Sequence, residues 1–252
     1  MKLKFLAFSL LAGIALNGCK NDKTVLLRLK YEQGDKQTYD IKIKAGKPTS
    51  SMVNNEIAIS FFVVDHKQDD YILSAQVEAI KSHVKTFLYE FDYDSENPYS
   101  GKRDKIPGLT GVSDSIYTKM LYDKYALTID ERGRIMEPFK SGRHNETLQP
   151  INFKLIQLSF PEKPVKEGFS WSEFQENPLV STENIFTYTV DSIDDNGVVI
   201  KVEVELTGTY NKKTKIKGEG KYMLDPKNGH LVNAYIEIPT GNDKALISIV
   251  PR

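Results

Sequence analysis

The sequence predicts a mainly β fold, in which curved antiparallel sheets are built from two similar halves and one or two short helices pack on the sheet. Apolar and polar residues alternate along most of the chain, as they do in strands with one buried and one solvated face. Short glycine turns separate these runs, and helical spacing of apolar residues recurs in two segments. We therefore expect antiparallel hairpins to form most of the protein.

The chain begins with a short apolar run followed by its single cysteine. Lys2 and Lys4 flank the start of this run, which ends at Leu16, and Gly18 stands directly before Cys19. The run is too short to cross a bilayer as a stable helix. This arrangement resembles a bacterial lipoprotein signal, which implies cleavage of residues 1–18 and attachment of acyl chains such as palmitate to Cys19. The alternative is a secretory signal peptide whose cysteine is incidental.

Composition limits the classes of partner. Removal of the signal would leave 234 of the 252 residues, enough to bury a sizeable core. Loss of Lys2 and Lys4 from 34 basic residues would leave 32 against 34 acidic ones, a net charge of −2. Such a balance argues against nucleic acid, which requires a basic surface. Without a second cysteine no internal disulfide can form.

A short tether, residues 19–23, would connect the acyl chains to the folded body. Lys20-Asn21-Asp22-Lys23 is similar to the export signal that carries some Bacteroidetes lipoproteins to the cell surface, and a solvated linker is the alternative. We expect the acyl chains to hold the protein at the membrane of the cell envelope, at the outer membrane. Both the periplasmic face and the cell surface remain open as its position.

Period-two alternation defines strands in both halves, which we place at residues 24–145 and 146–252. Turns at Gly133, Gly197 and Gly229 would join neighbouring strands. The clearest alternating runs are Ile41 and Ile43; Ile57, Ile59, Phe61 and Val63; Leu73, Ala75, Val77 and Ala79; Val202, Val204 and Leu206; and Ile236 and Ile238.

Two segments show helical spacing. One predicted helix covers residues 145–161 and opens the second half, and a shorter one covers residues 113–122. We interpret both apolar faces as covering the sheet. The residues that define them are Leu148, Ile151, Leu155 and Leu158 in the first, and Ile116 and Met120 in the second.

Features of the first half recur in the same order in the second. Gly34 is matched by Gly168, each in a short turn before an aromatic residue. Later in each half a Val-Asp pair and then a Lys-Tyr strand followed by a glycine turn also recur. The matched positions are Asp65 with Asp191 and Tyr125 with Tyr222. This order predicts two halves of similar construction, although strand proteins also reuse such turns without any repeat.

A set of motifs along the mature chain points to a family. In order, they are Leu29-x-Tyr31-x-x-Gly34, Asp92-Tyr93-Asp94-Ser95, the segment Tyr125–Gly133, and Phe160-Pro161 followed by Gly168 and Trp171. Together they resemble an uncharacterised family of Bacteroidetes envelope lipoproteins. The resemblance implies a location in the envelope and no established activity.

Asp92, Asp94 and Glu96 form the best acidic cluster, because alternating carboxylates suit a hard cation such as calcium. Their loop does not match an EF-hand, since Asn97 and Arg103 replace its glycine and its bidentate glutamate. We therefore interpret the cluster as a solvated loop and assign no metal and no cofactor. No zinc-ligand spacing links the four histidines, His66, His83, His144 and His230.

No catalytic motif is complete. Ser82 and Lys85 have the Ser-x-x-Lys spacing of penicillin-binding enzymes, but they follow a strand and the companion motifs are absent. We predict no catalytic residue. The tripeptides around Ser115 and Ser192 are similar to the Asp-Ser-aliphatic pattern of O-glycosylation in Bacteroidetes, which makes these serines candidate sugar acceptors.

These observations favour a non-catalytic envelope lipoprotein that acts as a binding or structural module. Its ligand would be an apolar molecule, a glycan or another envelope protein. The alternative is a hydrolase of envelope polymers, which requires carboxyl groups from both halves to converge within roughly 5 to 9 Å. A structural subunit would instead expose a large apolar patch.

Replacement of Cys19 by serine tests the predicted anchor, because serine lacks the sulfur that would carry the lipid. We expect radiolabelled palmitate to be incorporated into the wild-type chain and not into Cys19→Ser. The control Ser9→Ala changes the apolar run and should remain labelled. Equal labelling of the wild-type chain and Cys19→Ser would refute the anchor.

Overall fold

The computed structural model of the chain describes residues 23–47, 49, 51–97, 117–121, 124–141, 155–177, 182–207, 215–241 and 243–252. Several sequence predictions fall outside these ranges. They are the signal peptide, Cys19, Ser115, and residues 145–154 of the predicted second-half helix.

The described residues form fourteen strands and one short helix, α1, at residues 117–121. The strands are β1 (Thr24–Val25), β2 (Lys36–Lys47), β3 (Ser51–Lys67), β4 (Asp70–Lys85), β5 (Glu90–Asp94), β6 (Lys124–Asp130), β7 (Ile135–Ser141), β8 (Val165–Lys166), β9 (Ser170–Asn177), β10 (Thr182–Ile193), β11 (Val198–Thr207), β12 (Lys215–Leu224), β13 (Leu231–Thr240) and β14 (Asp243–Pro251).

Twelve of these strands form one antiparallel sheet, which confirms the predicted fold class. Its order is β7-β6-β4-β3-β2-β14-β13-β12-β11-β10-β9, with β5 paired to β4, while β1 and β8 form a separate pair. The first half contributes a meander from β2 to β7 and the second a meander from β9 to β14. Pairing of β14 with β2 joins the two meanders, so both halves share one sheet.

Alternation assigns each strand an inner and an outer face. On β3, Ile59 and Val63 are buried on the inner face while Glu56 and Phe62 lie on the outer face. Burial of such an aliphatic side chain contributes about 1.5–3 kcal/mol. Because directly paired residues point to the same side, the inner faces of both halves merge into one hydrophobic core.

Two extended segments cover this core, and we name them crossing segment 1 (residues 26–31) and crossing segment 2 (residues 156–161). Leu27, Leu29, Leu158 and Phe160 of these segments are buried. The Leu29 amide donates to the carbonyl of Glu131 at 2.7 Å, and the Phe160 amide donates to the carbonyl of Arg132 at 2.7 Å. These bonds attach both segments to the turn between β6 and β7.

The structure corrects one helix prediction and supports part of the other. Helix α1 lies within the predicted span 113–122 and buries Met120. Leu155 is part of a 3₁₀ turn, whereas residues 156–160 form a bend and an extended segment, so no helix continues to Pro161 as predicted. Their backbone bonds go to other parts of the chain, and Pro161 and Pro164 oppose helix formation.

Within the described ranges, no helix has the length and hydrophobicity needed to span a membrane.

The predicted similarity of the halves is present in the backbone. Gly34 and Gly168 both adopt positive φ, +94° and +80°. The Gly34 amide donates to the carbonyl of Val63 at 2.9 Å, and the Gly168 amide donates to that of Val190 at 2.8 Å. A β-bulge follows each acceptor, at Val63/Asp65 and at Val190/Ser192. The same turn therefore meets the same bulge in each half.

The second pair of matched glycines shows that the halves exchange their crossing segments. A Cβ at Gly133, in the first half, would lie 2.3 Å from the carbonyl oxygen of Leu158 in crossing segment 2. A Cβ at Gly229, in the second half, would lie 2.5 Å from the carbonyl oxygen of Arg28 in crossing segment 1. Each glycine turn thus receives the segment that precedes the other half.

Comparison of two glycine variants separates this close approach from backbone strain. Gly229 and Gly241 both have positive φ, +71° and +65°, but a Cβ at Gly241 would meet nothing within 4 Å. Both alanine variants lose about 1–2 kcal/mol to the left-handed conformation. Gly229→Ala should lose about 2 kcal/mol more, because crossing segment 1 must shift. Denaturant unfolding measures both values, and equal losses would contradict the exchange.

Candidate functional site

The structure separates the three carboxylates that the sequence offered as metal candidates. Asp94 and Glu96 lie beside the Lys81 ammonium, with N–O distances of 3.6 and 2.8 Å. Hydrogen bonding to Glu96 raises the pKa of Lys81. Asp92 instead faces His83, with Nδ1 and Oδ1 2.5 Å apart. The structure therefore does not bring the three carboxylates together, since Lys81 lies between two of them and the third faces His83.

A cluster that the sequence analysis missed contains His83, Glu90 and Asp92. One ligand atom of each lies within 4.8 Å of the others. The β4–β5 hairpin creates the cluster, because its register pairs His83 with Asp92 and Lys85 with Glu90. In the sequence, Glu90 and Asp92 alternate on a short strand that follows His83. This pattern indicates a cluster only when the register of the hairpin is known.

The remaining candidate residues do not converge. Ser82 is buried on the inner face of β4, and its hydroxyl lies 2.7 Å from Asn55 Oδ1 and 3.0 Å from the Tyr117 hydroxyl. Lys85 lies on the outer face, since residues three apart on a strand point in opposite directions. Ser192, a predicted sugar acceptor, is half-buried at the bulge of β10.

A groove on the outer face of the second half has a volume of about 510 Å³. Strands β10 to β14 form it, and we name it the carboxylate groove. The register aligns Glu203 of β11, Glu219 of β12 and Glu237 of β13 in one row across the strands. With Glu205, four glutamates line the groove against two lysines, Lys217 and Lys244.

Lysines neutralise part of this row. Lys244 pairs with Glu237, and Lys215, beyond the groove, lies 2.5 Å from Glu205. The hydrogen bond from Lys244 lowers the pKa of Glu237, and the one from Lys215 lowers that of Glu205. Glu203 and Glu219 are exposed, and no lysine or arginine of the described ranges lies within ion-pair distance of either. Among the described residues, these two glutamates therefore have no direct ion pair, although Lys244 lies close enough to Glu219 for their charges to attract.

The edge of the groove towards β9 is apolar and hydroxyl-bearing. Phe174, 58% exposed, faces Ile185 directly across the strand pair. Beside them Ser172 Oγ and Thr187 Oγ1 lie 3.1 Å apart. The groove is thus lined by carboxylates together with Ile185 and Thr187, and the exposed Phe174 ring lies beside it on β9.

Close approach of two strands shapes the base of this region. A Cβ at Gly220 of β12 would lie 2.3 Å from the Tyr235 carbonyl oxygen of β13, and one at Gly218 would lie 2.7 Å from that of Glu237. Only glycine permits this approach. Gly218 lines the groove with its backbone, because a side chain at this position would point to the inner face, opposite Val204.

A buried polar network lies at the midline of the inner face, that is, beside β2, the strand through which the first half joins the second. Gln37 Oε1 accepts a hydrogen bond from the Tyr39 hydroxyl at 2.6 Å, and Gln37 Nε2 lies 2.6 Å from His230 Nδ1. The Tyr31 ring stacks on the His230 ring with centroids 4.7 Å apart. The pocket beside them measures about 10 Å³, which admits at most one water molecule. The crossing segments therefore fill this part of the inner face.

The described carboxylates with clearly displaced pKa values all ionise more readily than usual. Glu78 is lowered by the Ser60 hydroxyl and Lys36, and Asp191 by Lys201 and Lys221. Glu205 and Glu237 behave alike. A glycosidase acid needs the opposite shift, so that it still holds its proton near neutral pH.

Comparisons with known proteins leave the family open. No protein-family model matches the sequence, and no curated protein matches it. One similar solved structure is described as "Lipid-protein interactions in lipovitellin", with 11% identity and a TM-score of 0.45. The similarity covers 88% of this chain and 25% of that chain, so this chain spans about a quarter of its length.

The His230 network predicts that stability falls at acid pH. Burial lowers the pKa of His230, and a hydrogen bond to the Lys30 backbone together with the charges of Asp35 and Asp225 opposes this only in part. Gln37 already donates to Nδ1 and keeps its oxygen for Tyr39, so the ring is held neutral. The unfolded chain, with a histidine pKa of about 6.5, takes up the proton first as pH falls.

We therefore expect the free energy of unfolding to fall below pH 6.5, with a slope of at most about 1.4 kcal/mol per pH unit from this group. His230→Gln should lose that contribution. At pH 8 the wild-type chain and the variant should differ in free energy of unfolding only through packing. A decrease of that difference towards pH 5 would measure the protonation of His230. Parallel pH curves in denaturant titrations would show that His230 does not titrate as proposed.

Proposed function

We propose that this protein is a non-catalytic, lipid-anchored binding module of the cell envelope whose ligand-binding surface is the carboxylate groove. The observation that carries the proposal is the row of Glu203, Glu219 and Glu237 across three adjacent strands. Like charges placed directly opposite each other destabilise a sheet. A binding surface is a physical reason for a fold to keep them.

The charge of the groove favours a cationic ligand. Four glutamates and two lysines line it, and Lys215 just beyond it pairs with Glu205, which leaves an excess of one negative charge. Among the ligand classes that the sequence leaves open, an extended basic segment of an envelope protein fits this potential best, since complementary charge both steers and orients a partner. Phe174 and Ile185 would pack against the aliphatic parts of such a segment.

The position of the groove suits a tethered receptor. Lys23 lies beside Asp195 in the β10–β11 turn, so a lipid on Cys19 would hold this end of the sheet within about 14 Å of the membrane. The turn before β13 lies at the same end, because Leu224 and Leu231 are paired next to Val198. From Leu231 to Glu237 the strand rises by roughly 20 Å. The groove would therefore lie roughly 20 Å along the sheet from the tethered end.

The alternatives find less support. The hydrolase requires a carboxyl group with a raised pKa, and the shifts in the described part of the chain run downwards. A carrier of an apolar molecule requires internal space, and the pocket beside the crossing segments in the described part of the chain measures only about 10 Å³. Neither observation favours these functions over a polar binding surface.

A charge-matched pair of variants tests the groove. Binding of a peptide of alternating lysine and serine would be measured by calorimetry, with glutamine in place of lysine as the control peptide. Glu203→Gln with Glu219→Gln should weaken binding about 10-fold and reduce its salt dependence. Glu32→Gln with Glu167→Gln removes the same charge from exposed turns outside the groove and should leave affinity unchanged.

Two results would overturn the proposal. Equal loss of affinity in both double variants would mean that net charge alone attracts the peptide. Native mass spectrometry of protein purified gently from its own envelope would show a lipid mass, removed by organic extraction, if the chain carries an apolar molecule.

A further inference from the structure

We propose that His83, Glu90 and Asp92 bind a divalent transition-metal ion, with zinc as the ion that this ligand set favours. The site lies on the β4–β5 hairpin of the first half and is independent of the carboxylate groove. One imidazole and two carboxylates bring their ligand atoms within 4.8 Å of one another. These are the donor types that bind zinc in proteins.

The distances suit a shared ion after a small adjustment. Zinc bonds of about 2.0–2.2 Å in a tetrahedral arrangement place two ligand atoms roughly 3.3 Å apart. His83 Nδ1 and Asp92 Oδ1, now 2.5 Å apart, would open by less than about 1 Å. A metal ion would take the place of the proton that now holds these two atoms together.

A fourth polar atom faces the cluster. The register pairs Asn54 with His83 and His83 with Asp92, so the three side chains lie side by side on the outer face of β3, β4 and β5. Asn54 Oδ1 is buried and accepts no hydrogen bond in the described structure. A buried carbonyl oxygen without a donor is costly. Contact with a metal ion, or with a water bound to it, would satisfy this atom.

The hairpin holds the ligands rigidly. Phe91 and Tyr93 alternate with the ligands and are buried against α1, where the Tyr93 and Tyr117 rings lie 4.9 Å apart. The tight turn begins at Thr86, whose amide donates to the carbonyl of Tyr89 at 2.8 Å. Ligands on packed strands keep their geometry better than ligands on loops.

The cluster is open to solvent and can neutralise a dication. The side chains of His83 and Asp92 are 28% and 34% exposed, and Glu90 lies at the surface. Lys81 is engaged by Asp94 and Glu96, so it does not compete for Asp92. The imidazole distinguishes this set from an all-oxygen site, which would prefer calcium or magnesium.

Metal titration of the full-length chain, purified in mild detergent and treated with a chelator, tests the site. Zinc sulfate would be added in a calorimeter, and cobalt(II) would report its own coordination through its visible absorption. Wild-type protein should bind one ion, and His83→Gln and Asp92→Asn should each weaken binding by about 100-fold or more. The controls His66→Gln and Asp94→Asn remove the same groups outside the cluster and should bind as wild type.

A third variant distinguishes loss of zinc binding from loss of the folded structure. Glu90 is exposed, so Glu90→Gln should keep the fold by circular dichroism while weakening zinc binding and changing the cobalt spectrum. Absence of binding in the wild-type chain would overturn the proposal. So would zinc affinity that is the same in His83→Gln and His66→Gln.

Discussion

The exchange of crossing segments between the two halves is the contact on which the rest of the structure depends. A one-sided sheet must cover its apolar face, and here two extended segments do so. Lys30 of crossing segment 1 donates to Asn228 of the second half at 3.0 Å, while Phe160 of crossing segment 2 donates to Arg132 of the first half. Neither half has a complete core alone, so we expect the two to fold as one cooperative unit.

Arg28 shows how the exchange satisfies buried polar groups. Its side chain is only 12% exposed, and it bonds Glu131 Oε1 at 2.6 Å as well as the carbonyls of Leu27, Pro161 and Glu162. A buried guanidinium is tolerated only when its donors find such acceptors. One side chain thereby ties crossing segment 1 to crossing segment 2 and to the β6–β7 turn.

Sequence patterns predicted the strands and the matched halves because period-two alternation and glycine turns are local signals. The spacing of Leu155 and Leu158 suggested a helix, but apolar residues three apart can also be buried by an extended segment that other strands hold. The candidate sites, in contrast, are formed by residues that come together only through the pairing register of the strands. His83 meets Asp92 through the hairpin turn, and Glu203, Glu219 and Glu237 align only through two strand pairings. No local pattern carries that information.

The outer faces of the two halves differ in charge although both halves contain the same glycine turn and β-bulge. In the first half a pocket of about 150 Å³ is lined by three acidic residues, Asp40, Glu56 and Glu96, and three basic ones, Lys42, Lys81 and Arg252. Lys42 pairs with Glu56 at 3.5 Å and Arg252 with Asp40 at 3.8 Å. A sheet surface of this fold can therefore balance its charges. The carboxylate groove keeps an excess of one glutamate even when Lys215 is counted, and Glu203 and Glu219 make no direct ion pair within the described ranges, which is the feature on which the proposed binding of a cationic partner rests.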